Sequence, residues 1–309
     1  MKKLIIFGGN GFIGKYVSSF FANNKNFEIH IITRSLNNIS SNLKSSRIHF
    51  HELDLFNQDK IKLLFGKIKP THLIQLAWCS EHQKYWIDPQ NNIWVEINNT
   101  ISNSFINNGG NRAIFIGSSA EYDWSSNNLL NEFESKLNPF SIYGKAKLKS
   151  FHETTKYFEK SFASMTWIRL FNPFGPGEDE RRLIPKLCIN LIKDQKMEFD
   201  TANTTRDFIY VNDLAYLIYE LLNSDYFGPI NISSGEKIII KDLIIKAAKY
   251  FNKEKLINFD SSIDEPKFPF VVADTSLIKK VLKIKYPETI NTRFHETFKF
   301  WQERLSTIN

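Results

Sequence analysis

In the run Tyr143-Gly144-Lys145-Ala146-Lys147 a phenol and an ammonium stand four residues apart, so in a helix they share one face. A cation beside a phenol favours the phenolate and makes the tyrosine a usable proton donor and acceptor near neutrality. Such a pair also arises by chance on surface helices, so its chemistry depends on its surroundings. Upstream, Gly117-Ser118-Ser119-Ala120-Glu121-Tyr122 presents hydroxyls at the end of an apolar run, and strand ends are where parallel sheets bind ligands. Ser118 and Ser119 equally suit an ordinary loop or cap.

A second chemical signal is Gly8-Gly9-Asn10-Gly11-Phe12-Ile13-Gly14, directly after the apolar run Lys3 to Phe7. Phe12, Ile13, Tyr16, Val17, Phe20 and Phe21 then recur at helical spacing, and Phe27 to Thr33 is again apolar. This reads as strand, glycine turn, helix, strand. Gly8, Gly11 and Gly14 suit a tight turn, close backbone approach to a pyrophosphate, and phosphate charge at the helix start beside Phe12 and Ile13.

The second strand ends in Thr33-Arg34-Ser35, with no carboxylate to hold a ribose 2′-hydroxyl. A guanidinium there pairs with a 2′-phosphate, which points to NADP(H), with NAD(H) the alternative. Arg34 as a solvated loop residue is the plain reading. Asp54, followed by Leu55, ends the third strand and suits either an adenine amino group or the start of the next helix.

The elements that must position these groups follow from the apolar pattern. Further strands are expected at Ile48 to Leu53, His72 to Ala77, Ala113 to Ile116 and Ser164 to Leu170, with helices between most of them. That alternation predicts an α/β doubly wound parallel sheet over 1–172, with a return at about 203–225 and a smaller mixed α/β substrate region over 173–309. The stretches Asn37 to Ser46 and Ser125 to Asn131 read as surface loops with no apolar stripe to bury.

The chain has 309 residues, 42% hydrophobic and 24% charged, enough for one sizeable core or two smaller ones. Its apolar runs are too short to cross a membrane, and the opening run meets Gly8 too early for a signal-peptide core, so a soluble cytoplasmic protein is expected. Two cysteines, Cys79 and Cys188, and no Cys/His cluster of ligand spacing speak against a disulfide framework or a metal. The net charge of +7 fits phosphorylated ligands, but scattered basic residues do not form a nucleic-acid tract. An A+T-rich coding sequence would raise Lys, Asn and Ile content as well.

In this order and spacing, the glycine pattern, the Ser-Ser-Ala-Glu-Tyr strand end and the Tyr143/Lys147 pair resemble the extended short-chain dehydrogenase/reductase family, in its sugar-nucleotide epimerase, dehydratase and reductase branch. Arg169-Leu170-Phe171-Asn172-Pro173-Phe174-Gly175-Pro176-Gly177, Arg206-Asp207-Phe208-Ile209-Tyr210-Val211-Asn212-Asp213 and Asn231-Ile232-Ser233-Ser234-Gly235 extend the likeness over most of the chain. The resemblance implies a Rossmann-like fold. It also implies a proton relay by Tyr143, with Lys147 on the nicotinamide ribose and Ser119 on the substrate oxygen. Ala77 and Asn98 then fall near the cofactor, and Asn172 and Arg206 at the nucleotide diphosphate of the substrate. Arg206 paired with Asp207 or Asp213 is the rival reading.

A dehydratase of the family would carry an Asp-Glu pair after its catalytic hydroxyl, whereas Ser119-Ala120-Glu121 keeps only the glutamate. Thr33-Arg34 then favours a reductase, using fresh NADPH on a nucleotide-linked 4-keto-6-deoxyhexose, over an NAD-dependent epimerase. A non-catalytic NADP-binding sensor is the alternative of another class. Ser80 and Glu121 are expected at the substrate, with Trp78 and Cys79 beside Ser80 lining the sugar pocket. Helices around Ile93 to Ile106 and Ser141 to Phe158 would, by the same resemblance, form a homodimer through Ile97, Ile101, Ile106, Phe151 and Phe158; packing on the sheet is the other use for these side chains.

Overall fold

The computed structural model describes residues 1–309 except 38, 40–42, 44–46, 80, 82–83, 201, 260–266, 284–287 and 307–309. Seven strands form its main sheet: β1 (Lys2–Phe7), β2 (Phe27–Thr33), β3 (Ile48–Glu52), β4 (His72–Gln75), β5 (Arg112–Ile116), β6 (Ser164–Leu170) and β11 (Gly228–Ile232). All are parallel, in the order β3-β2-β1-β4-β5-β6-β11. Six of the seven lie where the apolar runs predict them. The order reverses between β1 and β4, and the crevice at such a reversal is where open α/β sheets bind ligands.

Alternation along each strand explains why both faces are covered. Leu4 and Ile6 of β1 point to one side, where α1 (Phe12–Ala22) and α6 (Val211–Asn223) pack through Val17, Phe21, Leu214, Leu217 and Ile218. Ile5 and Phe7 point to the other side, onto α2 (Gln58–Ile68), α3 (Asn91–Asn107) and α4 (Ile142–Glu159) through Phe65, Ile97, Phe105 and Phe158. Each such side chain, fully buried, contributes roughly 1.5–3 kcal/mol.

After β6 the chain leaves the sheet. β7 (Asn172–Phe174) pairs in parallel with β10 (Phe208–Tyr210). β9 (Thr205–Arg206) lies between β12 (Ile238–Ile239) and β14 (Phe270–Val271), and β8 (Met197–Phe199) pairs with β13 (Ile257–Phe259). Helices α5 (Leu183–Ile192), α7 (Ile240–Tyr250) and α9 (Ile290–Ser306) close a separate core around Phe174, Leu187, Ile244, Phe294, Phe298 and Trp301. Helix α8 (Ser276–Leu282) sends Ile278 into the core shared by α1 and α6.

Two expectations change here. Within 37–46, Leu43 is fully buried in the core on the α1 side, with Ile39 packed against it. Within 125–131, Leu130 is buried and its backbone exchanges hydrogen bonds with Val272 and Asp274. Single apolar residues anchor both segments, a signal that periodicity does not register. The side chains proposed for a dimer are also used within the chain: Ile97, Ile101 and Phe158 are buried in the core on the α2 side, and Ile106 and Phe151 pack against it.

Candidate active site

The glycine turn lies between the end of β1 and the start of α1, at the reversal of strand order. Gly8 has φ +76°, and a Cβ there would come within 3.0 Å of the Ala77 backbone nitrogen just past β4. Gly14 sits on the inner face of α1, where a Cβ would fall 2.1 Å from the Gly8 carbonyl oxygen. These two positions let β1, β4 and α1 converge. Gly11 is the helix N-cap, with no side-chain cap and no acidic residue in the first turn, so the positive end of α1 faces the crevice. Asn10 Oδ1, in the turn, is buried with no hydrogen-bond partner among the described residues. This cradle of backbone N–H groups, closed to any larger residue, fits a dinucleotide pyrophosphate.

Around the adenosine side of that crevice, Arg34 is exposed at the end of β2. Glu52, opposite Thr33 in the β2/β3 register, accepts from the Leu36 N–H at 3.3 Å. Asp54 is exposed and accepts from the Phe56 N–H at 3.1 Å, while Leu55 is buried. Phe12 and Ile13 are half-buried at the start of α1.

Ser141 caps α4 by accepting from the Gly144 N–H at 3.0 Å, and the helix then carries Tyr143 and Lys147 on its inner side. Lys147 Nζ donates to the Ile116 carbonyl at 2.7 Å and sits 3.7 Å from the centroid of the Trp78 ring. Burial lowers its pKa to about 7, against the pull of Glu121. Trp78 stacks on Trp94 and donates to Asn91 Oδ1 at 2.8 Å, so it walls the lysine in.

The structure departs from the expectation that Lys147 lowers the pKa of Tyr143. Burial pushes the phenol well above its usual value, while the Ser118 hydroxyl and the Arg182 charge act in the opposite sense. The Lys147 ammonium is turned toward Ile116, 5.8 Å from the Tyr143 ring centroid. The Ser118 hydroxyl lies within reach of Tyr143. Ser119 is buried, and its carbonyl accepts from Trp124 Nε1 at 2.7 Å. A sequence signal for this existed: Ser118-Ser119-Ala120-Glu121 is a capping box, with Glu121 Oε1 accepting from the Ser118 N–H at 2.8 Å.

Glu121 does not face a substrate. It has no exposed surface, and its carboxylate takes hydrogen bonds from Ser118, from Trp167 Nε1 at 3.0 Å and from Arg169 Nε at 2.9 Å. Arg169 in turn donates to the Glu132 carbonyl and the Tyr122 hydroxyl. Glu121 therefore holds the serine turn in shape. Asn98 is likewise enclosed: it accepts from Gln75 Nε2 at 2.8 Å and donates to Ser150 Oγ at 2.9 Å, tying α3 to β4 and α4. Cys79 lies against Asp88, and burial raises its thiol pKa. Ser80 lies outside the described residues.

Asn172 and Arg206 come together from β7 and β9 on a cavity of about 280 Å³, also lined by Glu178, Arg182, Phe199 and Thr204. Asn172 Nδ2 donates to the Asp207 carbonyl at 2.7 Å. Arg206 has neither of the ion pairs considered for it. Asp207 accepts from Ser234, Gly235 and Ala273, with its carboxyl pKa raised by burial to about 6, and Asp213 pairs with Arg293 at 2.7 Å. Burial lowers the Arg206 pKa to about 10, and among the described residues no carboxylate forms an ion pair with it, a setting that an anion in the cavity would relieve. Arg182, which periodicity and motif did not single out, adds a second guanidinium to this wall.

A GDP-6-deoxy-D-talose 4-dehydrogenase of Aggregatibacter actinomycetemcomitans is 26% identical over 242 residues, spanning 75% of this chain and 74% of that protein. A dTDP-D-glucose 4,6-dehydratase of Dictyostelium discoideum is 22% identical over 269 residues, 80% of this chain and 61% of that protein. Among solved structures, a UDP-N-acetylglucosamine 4-epimerase from Methanobrevibacter ruminantium superposes with a TM-score of 0.85 at 23% identity, over 98% of this chain and 99% of that one. A dTDP-glucose 4,6-dehydratase from Bacillus anthracis, solved with NAD, gives 0.82 at 16% identity over 98% and 97%. Residues 4–233 match the model for NAD dependent epimerases and dehydratases, a span that runs from β1 through the glycine turn, Tyr143, Lys147 and Arg206 to the end of β11. On that match the chain belongs to the NAD dependent epimerase/dehydratase family, the sugar-nucleotide enzymes of the extended short-chain dehydrogenase/reductase group.

Proposed function

We propose that the chain reduces the keto group of a nucleotide-linked 4-keto-6-deoxyhexose with NADPH, and that Tyr143 donates the proton. The observation that carries this reading is the enclosure of Glu121. The carboxylate of the serine turn is bound by Ser118, Trp167 and Arg169, so it is withheld from the proton removal that elimination of water requires. Keto reduction needs only a hydride and one proton donor. The 26% identical relative, named for dehydrogenation at position 4 of a 6-deoxyhexose nucleotide, is consistent with redox chemistry at that carbon.

When bound, the nicotinamide would supply the hydride; the chain supplies the rest. The glycine turn and the start of α1 hold the pyrophosphate, and exposed Arg34 supports a 2′-phosphate. Lys147 holds the ribose from its seat between Ile116 and Trp78. A hydroxyl of the serine turn, that of Ser119 or of Ser118 within reach of Tyr143, holds the substrate oxygen and with the phenol stabilises the developing alkoxide. A phenol whose burial keeps it protonated is suited to be a donor. Arg206 and Asn172 hold the diphosphate of the substrate from the cavity that they line. The assembly as a homodimer belongs to this reading too.

A second reading, an epimerase with tightly held NAD, is favoured by the family match and by the NAD-bound structural neighbour. The test is to mix the protein with NADPH or NADH and a panel of nucleotide-linked 4-keto-6-deoxyhexoses and follow nicotinamide absorbance. Loss of NADPH matched by an alcohol product, reduced by about 10²–10⁴-fold in Tyr143→Phe, is expected. Absence of turnover with every member, together with inversion of a nucleotide-linked sugar that has no keto group, would replace the reductase with the epimerase.

A further inference from the structure

Besides Ser118, two aromatic rings meet Tyr143. The ring of Tyr85, on the one-turn segment Lys84–Trp86, meets it edge to face, with centroids 4.9 Å apart and planes at 79°. Trp86 meets it from the same segment at 5.7 Å and 80°. The segment is itself fixed: the Tyr85 N–H donates to the Glu81 carbonyl at 3.1 Å, and the Tyr85 carbonyl accepts from Asn91 Nδ2 at 2.7 Å.

Arg182, the residue that precedes α5, lies close enough to Tyr85 for its charge to oppose the upward push of burial on that phenol. Arg182 lines the cavity of Arg206 and Asn172, and its Nε donates to Glu178 Oε1 at 2.8 Å. Glu178 Oε2 is buried with no hydrogen-bond partner among the described residues. The cavity of Arg206 and Asn172 is thus joined to Tyr143 by the charge of Arg182, which acts on both tyrosines, and by the ring contact of Tyr85 with Tyr143, from three segments distant in sequence. The other polar and charged groups acting on Tyr143 are Ser118 and Glu121 of the serine turn, with Lys147 one helical turn away on α4.

We propose that Tyr85 and Arg182 are positioning residues for Tyr143 that link its proton transfer to the occupancy of the anion cavity. The proposal rests on the reading of Tyr143 as proton donor. The physical argument has two parts. Two rings packed edge to face on one side of Tyr143 restrict its orientation, and proton transfer is sensitive to sub-ångström placement of the donor. The Arg182 charge reaches both Tyr143 and the cavity, so an anion bound at the cavity opposes that charge and strengthens the hold of the phenol on its proton. Occupancy of the cavity is therefore felt at Tyr143 as a change in the charge that its phenol faces.

The test labels Tyr143 with 3-fluorotyrosine and follows its fluorine resonance as inorganic pyrophosphate is added to the full chain. The resonance is expected to move on saturation. The movement should be lost in Arg182→Gln and at least halved in Tyr85→Phe, with Arg182→Lys intermediate. Because this readout needs no turnover, it stands apart from the test of the reductase reading. In turnover, Tyr85→Phe should lower kcat by about tenfold, with the substrate KM changed less than twofold, and shift the alkaline limb of the kcat/KM profile. Equal pyrophosphate responses in wild type, Arg182→Gln and Tyr85→Phe, or no response in wild type, would overturn the proposal. Thermal unfolding checks each variant. If Arg182→Gln does not fold, Tyr85→Phe and Arg182→Lys decide the matter, and unchanged responses in both overturn the proposal.

Discussion

Lys147 Nζ donates to the carbonyl of Ile116 at 2.7 Å, so the last residue of β5 holds the ammonium of α4 in place under the indole of Trp78. Burial lowers the lysine pKa to about 7, so the ligand-free protein carries this charge below that pH and loses it above. Cofactor affinity is therefore expected to fall as pH rises from 6 to 8.5. Lys147→Met should bind about tenfold more weakly at pH 6 and show little of that pH dependence, as loss of a charge-assisted hydrogen bond implies. Calorimetric titration with NADPH at several pH values measures both.

Glu121 and Arg169 form a fully buried ion pair, with the Glu121 carboxylate also accepting from Ser118 and Trp167. Glu121→Gln leaves the guanidinium buried without its counter-charge and should lower stability by about 3–5 kcal/mol. Urea unfolding reads the change. The double replacement Glu121→Gln with Arg169→Met should be milder than the sum of the single changes, since neither charge is then left alone.

Two glycines in helices are expected to respond in opposite directions to alanine. At Gly14 the new methyl falls 2.1 Å from the Gly8 carbonyl oxygen, so α1 must withdraw from the turn, and cofactor binding should be lost together with stability. At Gly66 of α2 nothing lies within 4 Å, and Gly66→Ala should stabilise by about 0.5–1 kcal/mol. Melting temperature and NADPH titration distinguish the two.

His30 and His72 are buried, and both have their pKa lowered to about 4 by desolvation, with nearby basic groups adding to it. Between pH 4 and 6.5 the unfolded chain binds more protons than the folded one, so stability rises with pH through that window and is lost on acidification. Each histidine accounts for roughly 2–3 kcal/mol of the change. His72→Asn should flatten the dependence of the urea midpoint on pH between 4 and 6.5, whereas an unchanged slope would assign it to other groups.

Six strands of the main sheet are legible from apolar runs because strands buried on both faces need unbroken apolar sequence, as in Phe27 to Thr33. β11 escapes that pattern, since Gly228-Pro229-Ile230-Asn231-Ile232 is short and begins with two poor strand formers; its place is secured by pairing with β6. Leu43 and Leu130 are hidden within polar stretches for a related reason, each being a lone anchor. The cavity depends on β7 and β9, whose five residues together are too few for periodicity to reveal.

By itself the sequence determined which groups could do chemistry: a glycine turn after a strand, a phenol and ammonium one helical turn apart, and an arginine, Arg206, in a family motif beside two aspartates that could have neutralised it. These are local properties, set by spacing along a helix or by the absence of a Cβ. Only the tertiary structure decided how they are used. It turned Lys147 toward Ile116, brought Ser118 within reach of Tyr143, enclosed Glu121 against Arg169, and carried Tyr85 and Arg182 to the same region from segments far apart. The reason is that orientation, burial and charge pairing arise where separate elements meet, and no single segment of the chain encodes that meeting.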